Sequence, residues 1–200
     1  YRFQVVPGKK SDRILLHFQG GGGCSSIETC GYGVQQLMKD GASPTFSTTA
    51  QPSETGGIFD MENPLNPFAD WTIIQVVYCT ADTHTGSAVI DIGGTGVNLY
   101  MNGATNAQIV VDWMLTNFEK PTHVVLSGSS AGALGVLAWA DYIISHVRQN
   151  NPSVKMAVLA DSYSGFLAPN QGEGAPFAGA CHEQFVHQLG NLHQNHSLIL

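Results

Sequence analysis

Ser130 stands in Gly128-Ser129-Ser130-Ala131-Gly132, between the apolar run His123-Val124-Val125-Leu126 and an apolar stretch of helical character. That position puts a hydroxyl on a strand-to-helix turn, the arrangement of a G-x-S-x-G nucleophile elbow. Glycine is needed on both sides because the turn is too tight for side chains to pass between strand and helix. The motif alone is weak: the glycine and serine content would place about 0.2 of them in this chain by chance. Context adds weight. Attack of a serine on a carbonyl builds negative charge on the carbonyl oxygen, and backbone N–H groups aimed at that oxygen stabilise it. Four consecutive glycines at 20–23 could offer such donors without side-chain obstruction. A further donor is expected from Ala131, at a helix N-terminus where the dipole adds to it. The plainer reading of both segments is a Gly/Ser turn without chemistry.

Four apolar runs could hold these groups in place. Residues 13–18 (RILLHF), 71–79 (WTIIQVVYC), 123–126 (HVVL) and 155–160 (KMAVLA) read as strands of a buried type. Residues 106–118 carry Ile109, Val110, Trp113, Met114 and Phe118 at helical spacing. Residues 131–147 are apolar nearly all round, which predicts a central helix buried on every face. A short helix is expected at 33–38, a helical segment at 177–194, a surface excursion over 41–70, and a small hairpin within 84–98. Strands alternating with helices predict an α/β fold with a mainly parallel, doubly wound sheet and helices on both faces. In such sheets function gathers at the C-terminal strand ends. Here those ends carry the four glycines, the segment Tyr78-Cys79-Thr80-Ala81-Asp82-Thr83-His84, Ser130, and Asp161-Ser162.

Composition narrows the function classes. The 200 residues suit one α/β domain or part of a larger one, and 43% hydrophobic content supports a real core. Only 12% of residues are charged and the net charge is −7, so there is no basic stripe for nucleic acid. No apolar run reaches the roughly 18 residues of a membrane span. The start at Tyr1-Arg2-Phe3 reads as a mature or trimmed product. Cys24, Cys30, Cys79 and Cys181 match no zinc spacing and include no C-x-x-C pair. Cys24 and Cys30 could close a short loop, or all four could be free thiols. Low charge and an even cysteine count favour an oxidising, secreted or periplasmic setting. No cofactor or metal is implied: residues 20–23 lack a Walker lysine, and residues 93–96 fail the dinucleotide fingerprint.

Five segments together resemble the pectin acetylesterase/Notum family of carboxylesterases. They are residues 15–24 (LLHFQGGGGC), 66–86 (NPFADWTIIQVVYCTADTHTG), 102–114 (NGATNAQIVVDWM), 124–136 (VVLSGSSAGALGV) and 158–166 (VLADSYSGF), in family order. The resemblance implies one α/β-hydrolase domain over residues 1–200, with Ser130 as nucleophile and the amides of Gly21, Gly22 and Ala131 as oxyanion hole. It also implies that the strand before the glycines lies between the Cys79 and Ser130 strands, with Asp161 on the other side of Ser130. One departure concerns Gly23, where the family often has an aromatic residue; its loss would open the pocket wall. His84 has two readings, a pocket-lining residue or a structural one.

An activated serine needs a general base oriented by an acid, in the chain order Ser, Asp/Glu, His. Relatives place both well past the serine, which implies that the chain is the N-terminal part of a longer enzyme. A compressed triad of Asp161 with His182, His187, His193 or His196 is the alternative. The expected function is a secreted serine esterase acting on acyl esters, acetylated polysaccharide among them. An amidase, peptidase or polyester hydrolase using the same serine, or a non-catalytic carbohydrate-binding protein, are the competing readings.

Overall fold

The computed structural model describes residues 1–23, 56–91 and 98–162. The expected helices at 33–38 and 177–194 lie outside these residues, as do Cys24, Cys30 and Cys181. Strands β1 (Gln4–Val6), β2 (Lys10–Phe18), β3 (Trp71–Val76), β6 (His123–Ser129) and β7 (Lys155–Asp161) form one sheet in the order β1-β3-β2-β6-β7. β3, β2, β6 and β7 are parallel, and only β1 runs antiparallel, against β3. β2 therefore sits between β3 and β6, as expected. A separate antiparallel pair, β4 (Ala88–Asp91) and β5 (Asn98–Met101), corresponds to the expected hairpin but runs three residues past its expected end at 98.

Alternation along the strands sorts the core into two layers. Ile14, Leu16 and Phe18 of β2, Ile74 and Val76 of β3, and Val124 and Leu126 of β6 face one way. Against them pack helices α1 (Gly103–Asn117) and α2 (Ala131–Asn150) through Val110, Met114, Val136 and Trp139. Each large aliphatic side chain buried here contributes about 1.5–3 kcal/mol. The opposite face carries Leu15, Ile73 and Val125, joined by Trp71 and the partly buried Ile58, Phe59 and Phe68. Among the described residues both helices lie on one face, and the helices expected at 33–38 and 177–194, which bear on the other face, lie outside them. Among the described residues, part of the expected surface excursion packs on that other face. Asn66 knits that segment: its amide donates to the Ile58 and Asp60 carbonyls, and its Oδ1 accepts from Phe68 N.

Two expectations change. α2 is not buried all round: Ala131, Gly132, Gly135, Val136 and Trp139 are buried, but Leu137 is 47% exposed. Val136, Trp139, Ile143 and Val147 join its small residues on the packed face, while Leu137 lies off it. α1 begins at Gly103 rather than Asn106, because Oδ2 of Asp82 accepts the Gly103 N–H at 2.7 Å. Asn102 makes no side-chain cap, so Asp82, 21 positions before Gly103, supplies it.

Candidate active site

Ser130 is the hinge between β6 and α2. Its backbone is at φ 53°, ψ −118°, a region that costs a non-glycine residue about 1–3 kcal/mol. Ser130 N donates to the Asp161 carbonyl at 2.9 Å, and Ala133 N closes back on the Ser130 carbonyl at 3.0 Å. Ser130 is exposed, between the half-buried Ser129 and the buried Ala131. The motif glycines are explained by contact. A Cβ at Gly128 would collide with the Gly132 carbonyl, and one at Gly132 with the Phe18 carbonyl.

The glycine segment arrives beside this turn. A Cβ at Gly20 would stand 3.2 Å from both Ser130 Cβ and Ser129 Oγ. Gly21 passes over Tyr78, where a Cβ would come within 2.9 Å of the ring. Gly22 is in left-handed backbone, φ +75°, and among the described residues, its chain neighbours aside, no heavy atom lies within 4 Å of where its Cβ would be. A Cβ at Gly23 would rest against the Ala81 carbonyl (3.5 Å) and Tyr78 Oη (3.9 Å). An aromatic side chain there would start along the Tyr78–Ala81 turn. Ala131 is the first residue of α2, and the first four N–H groups of a helix have no intrahelical acceptor.

Beneath the glycines lies a polar network that the sequence reading did not assemble. Gln19 N donates to Val76 O (3.1 Å), and Gln19 Oε1 accepts from Tyr78 N (3.0 Å). Tyr78 Oη accepts from Thr83 N (2.9 Å). Asp82 accepts from Thr80 Oγ1 (2.7 Å), His84 N (3.2 Å) and Gly103 N. Burial nonetheless raises the Asp82 carboxyl above the usual range. Ala81, Thr83 and His84 all take positive φ, so these bonds hold a strained turn. Its only sequence signal is an acid among threonines at a strand end. His84 is 1% exposed, which makes it an interior residue rather than one lining an open pocket. Its ring is held neutral, with its pKa pushed down to about 4 by burial.

On the other sheet face, His17 Nδ1 lies 3.1 Å from Ser127 Oγ, and burial lowers the ring's pKa to about 4. They border a cavity of about 660 Å³ with Phe59, Ser129, Leu159 and Asp161. Ser127 lies inside β6, where ladder bonds engage the backbone amides, unlike the helix-start amides that follow Ser130. The described histidines have ring bonds elsewhere than Ser130: His17 to Ser127, His84 to Gln19, His123 to Thr122 and His146 to Tyr142. Asp161 is brought to the Ser130 turn through its carbonyl, while His182, His187, His193 and His196 lie outside the described residues. Cys79 is a half-buried free thiol whose pKa burial raises. Among the described residues no three His, Cys, Asp or Glu side chains cluster as metal ligands, and no helix is long and apolar enough to cross a membrane.

A mostly parallel sheet with a strained serine at the turn after a central strand defines an α/β-hydrolase-type protein. The solved structure of the Wnt deacylase Notum from Drosophila shares this fold, with a TM-score of 0.64 and 19% identity. The match covers 96% of this chain and 55% of that one. The Pectinacetylesterase family profile matches residues 1–196, and the chain belongs to that family. Pectin acetylesterase 11 of Arabidopsis thaliana is 32% identical over 145 residues, covering 70% of this chain and 35% of that protein. Palmitoleoyl-protein carboxylesterase notum2 of Xenopus laevis is 29% identical over 160 residues, covering 77% and 31%. The chain thus spans about a third of the length of these relatives.

Proposed function

We propose that this chain carries the nucleophile and oxyanion hole of a secreted serine carboxylesterase that hydrolyses acetyl or other short acyl esters. Ser130 Oγ attacks the ester carbonyl carbon while its proton passes to a base. The amides of Gly21, Gly22 and Ala131 receive the oxyanion. Collapse breaks the C–O bond, the alcohol leaves with the proton, and an acyl-Ser130 ester remains. Water, deprotonated by the same base, then releases the carboxylic acid and restores the hydroxyl. The base is a histidine outside the described residues, since those within them are engaged elsewhere.

The approach of Gly20 to Ser130, 3.2 Å between Cβ positions, carries this reading, because it brings a side-chain-free backbone beside a strained serine. Family membership supports ester chemistry, and the relatives' names offer two alcohols, a pectin sugar and an acylated protein. The open space at Gly22 and the bare Gly23 suit a bulky alcohol such as a polysaccharide. Low charge and four cysteines favour secretion. A fluorophosphonate probe should label Ser130 in the intact natural protein and should fail to label Ser130→Ala. Acetate release from acetylated pectin should disappear with the same substitution. An unlabelled, folded wild-type protein would remove the enzymatic reading.

A further inference from the structure

His84 touches both sides of the candidate site. Its Nε2 lies 2.8 Å from the Gln19 carbonyl, and since a carbonyl only accepts, Nε2–H donates. Gln19 immediately precedes Gly20, the residue in contact with the Ser130 turn. In the other direction, the His84 carbonyl accepts Trp139 Nε1–H at 2.9 Å. Trp139 belongs to α2, whose first residue is Ala131.

The ring has little room to move. Phe18 meets it edge-on at 5.2 Å between centroids, and Tyr78 lies against it at 4.7 Å. Gly135 of α2 closes the remaining side: a Cβ there would stand 2.9 Å from His84 Cδ2 and 3.0 Å from the Thr83 carbonyl. The backbone of Thr83 and His84 is left-handed, φ 55° and 63°, and is kept so by Asp82 and Tyr78. One buried residue in a strained turn therefore links the glycine segment to the nucleophile helix by two hydrogen bonds.

We propose that His84 is a positioning residue that fixes the spacing between the Gly21 and Gly22 amides on one side and the Ala131 amide on the other. The proposal rests on the oxyanion-hole reading above. Donors preorganised for a developing charge lose much of their effect when displaced by about 1 Å, whereas ground-state binding of the ester changes little. The imidazole is well suited to the task because it stays neutral around pH 7 and needs no counter-ion.

Two substitutions at this position separate the hydrogen bond from ring packing. His84→Phe keeps a ring and removes the N–H; His84→Gln restores an amide N–H near the place of Nε2. In the intact natural protein, His84→Phe should lower kcat on an acyl ester by about 10- to 100-fold, with KM within about threefold. The rate at which a fluorophosphonate labels Ser130 should fall in parallel, and His84→Gln should recover most of both. Trp139→Phe, which cuts the link at its other end, should repeat the kcat-selective loss. It decides the question if His84→Phe does not fold. Wild-type turnover with kcat within about twofold in folded His84→Phe or Trp139→Phe overturns the positioning role alone. A wild-type protein that neither labels nor hydrolyses esters overturns the esterase reading first.

Discussion

Burial of neutral histidines makes acid sensitivity a property of single residues. His17 and His84 hold their rings near pKa 4, while an unfolded chain takes up protons on the same rings below about pH 6.5. Stability should therefore fall as pH drops from about 6.5 to 4 and level off below, when the native rings also protonate. Each contributes up to about 3 kcal/mol of that loss. Asp82, raised by burial, acts in the opposite sense, so its contribution declines as pH rises through its native value. Urea unfolding of wild type and His17→Gln across this range should give pH slopes differing by about one proton. Equal slopes would mean that the His17 ring is not shielded. Ser130 and the glycines on either side were legible because their signal is local, five residues long. Gln19 was not: nothing about a lone glutamine after Phe18 announces that its amide and carbonyl tie three segments together.

Elements meet here at distances that leave no room for ordinary side chains. Gly132→Ala would drive a methyl group into the Phe18 carbonyl, and α2 would have to leave the sheet. A loss of more than about 3 kcal/mol, or no folded protein, is the expected result in thermal unfolding. Asp82→Asn tests the turn that caps α1. It replaces one carboxylate oxygen by a donor, leaving Gly103 N or the Thr80/His84 pair without an acceptor, at a cost of about 1–3 kcal/mol. A variant as stable as wild type would remove Asp82 from this role. Strand positions were readable because buried parallel strands are continuous apolar runs. The start of α1 was not, since its cap is a tertiary contact. β1 was missed for a similar reason: three residues become a strand only by pairing with Ile73, Ile74 and Gln75.

At the scale of the molecule, stability should be graded across the sheet. β2 has partners on both edges and its apolar side chains, Ile14 to Phe18, are wholly enclosed, whereas the β4–β5 pair exposes Val89 and Tyr100. Amide hydrogen exchange should be slowest at residues 14–18 and orders of magnitude faster in β4 and β5. Comparable protection of the two would contradict this arrangement. The sequence by itself determined the local structures: apolar strand runs, the serine turn, the glycine segment, and the family to which their order belongs. These depend on neighbours a few residues apart, where sterics and periodicity act directly. Only the tertiary structure decided which face each helix covers, that Leu137 points outward, and that His84 joins the glycines to α2. Such outcomes depend on which distant groups come within hydrogen-bond reach, and no short stretch of chain contains that distance.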